Sequence, residues 1–248
     1  MNSASQGSAS HDDDARPVRG VYMALKTAAA HPECNGVAAK IAAQVNTLDT
    51  GEIACDLYTV YGPHSFFGNF FNWFPLLPST EGWIATESLA ANDFLYIRKP
   101  LFTRKFIRFL RNMKKLNPNI KIILEIPTYP YDNEMQNIWE RVSLARDRHY
   151  RKQLSGYVDK IADLSRHNEI FGVETLPIVN GIDLSIHSPR IPSYQDEAVH
   201  MLSVSSCFFW HGLDRAITGL GEYYAEKSPV KQVVLHIVGE GPETASLK

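Results

Sequence analysis

Cysteine is scarce: Cys34, Cys55 and Cys207 are odd in number, far apart and free of any C-x-x-C spacing. This excludes a disulfide framework and a structural zinc site, and it points to a reducing, cytoplasmic compartment. There is no run of about 18 apolar residues, so no membrane-spanning helix is expected. Residues 1–17 are rich in Ser, Ala and Asp, lack the apolar stretch of a secretory signal and read as a disordered tail. His11-Asp12-Asp13-Asp14 within that tail reads as solvated charge, because a mobile segment loses too much ordering entropy on holding a metal; no metal is expected. An excess of one charge is missing too. The 25 Lys+Arg against 27 Asp+Glu leave −2, so no global field marks nucleic acid as a partner. Also absent are a G-x-S-x-G elbow, an H-E-x-x-H pair, a Walker A loop and a G-x-G-x-x-G after the first strand. Serine hydrolases, zincins, P-loop enzymes and the common nicotinamide and methyl-transfer sites lose their usual support.

What is present is a chain of 248 residues, 44% hydrophobic and 21% charged, enough for a sizeable core in one large domain or one and a fraction. From Val18 onward, apolar strand-like runs alternate with helical periodicity, the pattern of an α/β chain with a parallel sheet and crossover helices. Val18–Leu25 reads as a strand, and Val37, Ile41, Val45 and Leu48 recur at helical spacing as one buried face. Cys55–Val60 and Phe94–Arg98 read as strands and roughly 102–116 as a helix. The unbroken apolar run Ile120–Ile126 predicts a central strand buried on both faces. A helix is expected from Leu144 through Tyr150, Leu154, Val158 and Ile161, then short strands at Ala162–Ser165 and Thr175–Val179 and a turn at Asn180-Gly181. Residues 18–183 thus form a first Rossmann-like domain and the Pro/Ser-rich stretch 184–198 a linker. Residues 199–248 begin a second unit, with strands Met201–Ser206 and Val233–Val238 around a helix Asp214–Tyr224. Two strands and one helix cannot bury both faces of a sheet, so this unit is expected either to pack on the first domain or to be a second domain cut short.

Open parallel sheets bind ligands at the carboxyl ends of their strands, and three post-strand segments are unusual. Gly36, in Cys34-Asn35-Gly36 at a helix start, suits an anion such as phosphate, or is a plain loop glycine. The run Glu125-Ile126-Pro127-Thr128-Tyr129-Pro130-Tyr131-Asp132 follows the central strand. Glu125 is the acid nearest the strand end, and Thr128, Tyr129 and Asp132 could hold a hydroxyl-rich ligand; alternatively the prolines stop the strand and set up a helix cap. Gly239-Glu240-Gly241-Pro242 forms a Gly-rich turn whose backbone can approach phosphates closely, a weak signal by itself.

Four segments, ILEIPTYPYDNE (123–134), IVNGID (178–183), SCFFWHGLDRAI (206–217) and IVGEGPE (237–243), occur in an order that resembles the family 4 glycosyltransferases of GT-B fold, particularly those of bacterial capsular and exopolysaccharide clusters. The resemblance runs from about Val18 to Lys248. It implies two Rossmann-like domains and retaining, metal-independent transfer of a hexose from a UDP- or GDP-linked sugar to a glycan or lipid-linked acceptor. A nucleotide-sugar co-substrate then stands in place of any cofactor. Glu125, His211 and Arg215 become catalytic candidates, Gly36, Ser205, Gly239, Glu240 and Gly241 candidates for the donor diphosphate, and Thr128, Tyr129, Asp132 and Trp73 for the acceptor. Many members place an Arg, then a Lys before a Gly, against the leaving diphosphate; the matching stretch here has Ser205 or Ser206 and then His211-Gly212. His211 and Arg215 could serve instead, or His211 is only a helix-start residue. The E-x-x-x-x-x-x-x-E segment that holds the donor sugar in that family would lie past Lys248, so a truncated second domain is expected. The competing reading is a non-catalytic sugar- or acceptor-binding remnant.

Two further segments bear on the acceptor. Phe66, Phe67, Phe70, Phe71, Trp73, Phe74 and Trp83 make a loop too apolar for plain exposure, fit either to pack on the sheet or to meet sugars and a membrane interface. The helix 102–116 sets Phe102, Phe106, Phe109, Leu110 and Met113 opposite Arg104, Lys105, Arg108, Arg111, Lys114 and Lys115. That basic face is either simply solvated or a peripheral contact with anionic membrane.

Overall fold

The alternation of strand and helix signals builds a parallel sheet in the computed structural model, which describes residues 16–26, 36–62, 81–132, 138–182, 188, 197–225 and 231–247. The chain divides into two compact units, Met1–Asp183 and Leu184–Lys248. The first contains β1 (Val18–Leu25), α1 (Gly36–Leu48), β2 (Ile53–Val60), α2 (Glu87–Ala90), β3 (Phe94–Arg98), α3 (Arg104–Leu116), β4 (Lys121–Ile126), α4 (Ile138–Tyr150), β5 (Lys160–Asp163), β6 (Glu169–Ile170) and β7 (Val173–Pro177). The sheet order is β2-β1-β3-β4-β5-β7-β6, parallel throughout except for the β6–β7 pairing. This is an α/β architecture with a mostly parallel seven-stranded sheet, consistent with a Rossmann-like domain. The order turns back at β1 and β3, the switch point beside which such sheets open a crevice at their carboxyl ends. Register sets Tyr22 beside Tyr96 and Arg98 beside Glu125.

The main core lies on the α3 face of the sheet. Thr103 caps α3 by accepting the Phe106 N–H at 3.2 Å, and the helix buries Phe106, Ile107, Phe109, Leu110 and Met113. These meet Ile122, Leu124 and Ile126 of β4 and the Trp83 ring, which stands 4.9 Å edge-on to Phe106. On the far side of the helix Arg104, Arg108, Arg111 and Lys115 are exposed. Lys114 turns back instead to Asp159 and the Ile120 carbonyl, both at 2.7 Å.

Several elements depart from the sequence reading. β4 is apolar on one face only: the other carries Ile123, half-buried, and Glu125, fully buried in a polar set. On α1 the inward residues are Ala38 and Ile41, with Val45 and Leu48 flanking, whereas Val37 is exposed. The expected helix through Ile161 ends at Tyr150, passes through a 3-10 turn (Arg151–Gly156) and becomes β5. Asp159 redirects the chain there, because its carboxylate accepts the Ile122 N–H at 2.8 Å while its own N–H donates to Ile122. β5 and β7 begin two residues earlier than expected, since the Asp163 side chain caps the following turn and closes β5.

The second unit contains β8 (Val199–Val204), α5 (Leu213–Ala225) and β9 (Val233–Val238), with β8 and β9 parallel. Tyr224 clamps the end of α5 to β9, its hydroxyl donating to the Val233 carbonyl at 2.8 Å and accepting the Val233 N–H at 2.6 Å. β8 starts and ends two residues before the expected Met201–Ser206, because it is paired along its whole length with β9, whose last residue is Val238. Met201, Leu202, Val204 and Val238 are exposed.

Phe106 has no exposed surface, stacks on Phe102 and meets Trp83 edge-on. Phe106→Ala is expected to lower unfolding free energy by about 3–5 kcal/mol, read as a fall in denaturant midpoint at unchanged slope. A loss under about 1 kcal/mol would mean that α3 is not packed on the sheet in this way.

Candidate functional site

At the carboxyl end of β4, Glu125 has no exposed surface and four partners. Arg98 of β3 donates to it at 2.9 Å, Lys40 of α1 at 3.2 Å, the Tyr22 hydroxyl at 3.0 Å and Gln44 at 3.2 Å. Burial first, and the Glu125 charge second, push the Tyr22 and Tyr96 phenols well above their ordinary range, so both remain neutral. Glu125 is therefore a sealed hub and not an open acid. Two cations and two neutral donors bond its oxygens.

The loop after β4 is locked from the other side. Thr128 is exposed, Tyr129 half-buried and Tyr131 buried. The Tyr131 hydroxyl donates at 2.6 Å to Asp147, a fully buried acid that also accepts the Phe102 N–H at 3.0 Å. Lys99 lies 3.8 Å over the Tyr131 ring. Asp132 takes Arg151 at 2.7 Å and Arg148 at 2.9 Å, and the Arg151 bond foremost holds its carboxyl below the usual range. Tyr129 is edge-on to His167 at 4.9 Å, and Ser165 donates to the Tyr129 carbonyl at 2.9 Å. Of the acceptor residues expected from the sequence, Thr128, Tyr129 and Asp132 share this edge, although Asp132 is already committed to two arginines; Trp73 lies outside the described residues.

Gly36 opens α1 at an exposed position, and a β-carbon there would meet nothing within 4 Å. No close approach demands a glycine at that point. In the second unit the opposite holds. Gly239 has φ 132°, and a β-carbon on it would collide with the Ser205 carbonyl. One on Gly241 would come within 2.6 Å of the Cys207 carbonyl oxygen. The loops after β8 and β9 thus lie backbone to backbone, tied by Glu243 N–H to the Cys207 carbonyl at 2.9 Å, while Gly241 N–H donates to the Thr244 hydroxyl at 2.8 Å within the second loop. Gly212, at φ 65°, turns the chain into α5, with the Arg215 guanidinium over it. His211 accepts the Phe208 N–H through Nδ1 at 3.3 Å. When neutral, its proton is therefore on Nε2, which makes it a donor. The Ser205 hydroxyl is shielded from solvent and spends its proton on no partner among the described residues. Ser205, His211, Gly239 and Gly241 thus gather at one end of the second unit, with Arg215 one turn into α5 and Glu240 exposed on the turn. The main-chain N–H groups of Ser205, Phe208, His211, Gly212, Gly241 and Glu243 are spent within the unit, so what this end offers an anion is the Nε2–H of neutral His211 and the exposed Arg215 guanidinium.

The sequence reading missed Asp147, Asp163 and His167. Only Asp163 had a local signal, the Asp-x-Ser of Asp163-Leu164-Ser165 that favours an Asx turn. Among the described residues no group of three or more His, Cys, Asp or Glu is placed to hold a metal. No protein-family model, curated protein or solved structure matches the chain.

Removing the hub acid leaves Arg98 and Lys40 facing each other without compensation. Glu125→Ala is expected to destabilise by about 3–5 kcal/mol and Glu125→Gln by less, because the amide keeps the shape and part of the bonding. Equal, small losses in thermal denaturation for both variants would contradict the hub.

Proposed function

We propose that the chain is a glycosyltransferase of the GT-B, family 4 type. On this reading its first unit is acceptor-side and its second donor-side. The observation that carries the reading is the donor pair at the start of α5 in the second unit, His211 with Nδ1 occupied and the exposed Arg215 over the left-handed Gly212, at the end of the unit where the loops after β8 and β9 meet. The parallel sheet of the first unit, with its ordered carboxyl edge, supports it. Transfer of a hexose from UDP- or GDP-hexose develops negative charge on the departing diphosphate. In the absence of a metal, protein donors must balance that charge, and electrostatic stabilisation is then the main catalytic contribution. The Nε2–H of neutral His211 and the Arg215 guanidinium supply it. Among the described residues Arg215 has no ion-pair partner that would compete.

The acceptor is a glycan, lipid-linked on this reading, and the reaction takes place at the cytoplasmic face of a membrane. The exposed Arg104, Arg108, Arg111 and Lys115 on α3 support contact with anionic headgroups, each contributing about 1 kcal/mol near the surface. No described helix is long and apolar enough to cross a membrane. The saturation of Glu125 and Asp132 favours a second reading, a sugar- or acceptor-binding protein without turnover.

In amide-resolved NMR titrations of the chain, UDP or GDP is expected to shift residues 205–212 and 239–244, with roughly millimolar saturable binding that His211→Ala and Arg215→Ala weaken several-fold. No saturable binding of either nucleotide would remove the reading. Binding, but no nucleoside diphosphate release from UDP- or GDP-hexose when a polyprenyl-diphosphate-linked sugar is added, would favour the second reading. Separately, the chain is expected to co-sediment with phosphatidylglycerol vesicles and not with phosphatidylcholine ones, and to lose that behaviour on Arg104→Glu/Arg108→Glu/Arg111→Glu. Equal pelleting by the triple variant would rule out the α3 face as the contact.

A further inference from the structure

The turn after β5 holds a polar arrangement that the transfer reaction as proposed does not use. Asp163 is fully buried and accepts the N–H groups of Ser165 and His167, each at 3.0 Å. Its second oxygen also lies 3.3 Å from His167 Nδ1. Burial works to raise this carboxyl, but those donors outweigh it and hold it below the usual range. An ionised carboxylate only accepts, so Nδ1 carries a proton, and in the neutral ring Nε2 keeps its lone pair. The Asp163 side chain has no exposed surface while that of His167 is 41% exposed, so the ring edge turned outward is the Nε2 edge. The Tyr129 ring braces the imidazole at a right angle, and the Thr175 hydroxyl donates to the His167 carbonyl.

The intervening residue is strained. Arg166 has φ 58°, a left-handed conformation that costs a bulky side chain about 1 kcal/mol or more and recurs at functional sites. It lies inside the turn that Asp163 closes through Ser165 and His167. Arg166 and His167 line a groove of about 690 Å³ at the β5–β7 edge, floored by Pro177, Ile178 and Val179. Its one acid, Glu174, is 2.6 Å from Lys160, whereas Arg166 makes no ion pair among the described residues. The groove therefore combines one hydroxyl acceptor, one unbalanced cation and an apolar floor.

We propose that His167 and Arg166 form a recognition site for an acidic glycan, in which His167 Nε2 accepts a sugar hydroxyl and Arg166 pairs with a carboxylate or phosphate substituent. Asp163 is the positioning residue: it fixes the tautomer and builds the turn. The apolar floor suits the C–H face of a pyranose ring. The choice of a glycan as the hydroxyl-bearing ligand rests on the transferase reading; the geometry of the site does not.

The test is an NMR titration of the whole chain with a hexuronate-containing tetrasaccharide and with a neutral tetrasaccharide. The acidic sugar is expected to shift residues 166–168 and 178–179 and to bind several-fold more tightly than the neutral one. His167→Ala, at a part-exposed position, should weaken it about tenfold. Arg166→Asn, which tolerates the left-handed turn, should abolish the preference for the acidic sugar. The ¹⁵N shifts of the His167 ring should report an Nδ1–H tautomer that is lost in Asp163→Asn; if that variant does not fold, the wild-type tautomer decides. Failure of either sugar to bind, unchanged affinity in His167→Ala, or an Nε2–H tautomer in the wild type would overturn the site. Nucleoside diphosphate binding in the same samples separates the two ideas. Its absence with glycan binding intact removes the transferase reading alone, and the reverse removes this site alone.

Discussion

A single buried carboxylate ties the first unit together near its switch point. Glu125 is bonded to Tyr22 on β1, Arg98 on β3 and Lys40 and Gln44 on α1. In a low-dielectric interior each of these partners would be costly if stranded, so any arrangement of α1 that separates one of them is penalised by several kcal/mol. A set of this kind adds little net stability over an apolar core of equal volume. What it adds is geometric: it fixes how α1 crosses the strands and where Arg98 and Lys40 sit beside the crevice.

The same device recurs along the carboxyl edge. Asp147 and Asp163 are also fully buried, and each accepts main-chain N–H groups of a neighbouring loop. Asp147 holds the start of α3 through Phe102 and the 127–132 loop through Tyr131. Asp163 sets the turn that carries Arg166 and His167. The apolar contacts of α3 with β4 hold the helix on the sheet by burying its side chains from water. Hydrogen bonds to ionised acids then set the shape of the edge to within a fraction of an ångström, since their strength depends on distance and angle.

This division explains what could be read from the chain. Val18–Leu25, Phe94–Arg98 and Val233–Val238 were legible to the residue, because their β-branched and aromatic runs are bounded by turn-forming segments. The basic-apolar division of α3 was legible for the same kind of reason. The helix drawn through Ile161 failed because periodicity cannot see that Asp159 is captured by Ile122, 37 positions away. The polar face of β4 was hidden in the same way: one acid in an apolar run looks like a strand-end residue until its partners on three other elements are placed. At the candidate site, Ser205 and His211 were named only through the family resemblance, and Gly239-Glu240-Gly241 was by itself a weak signal. Asp147 and His167 were not legible, since their significance lies in partners distant in the chain or in the conformation of a turn.

Glycine is informative in this molecule only where the backbone is crowded. At Gly36 a side chain has open space, so the residue type carries no geometric message. At Gly239 and Gly241 the facing loop leaves no room, and the pair is required for β8 and β9 to bring their loops together whether or not a ligand is bound. The G-x-G is thus explained by folding before function is invoked. Three other features at that end of the unit are not required by folding: a shielded serine hydroxyl with its proton unspent, a histidine whose Nδ1 is occupied so that in the neutral ring Nε2 donates, and an arginine folded over a left-handed turn at a helix start. The histidine and the arginine are exposed, and an anion is the class of ligand that accepts from such donors, so it is these two residues and not the glycine pair that speak for one.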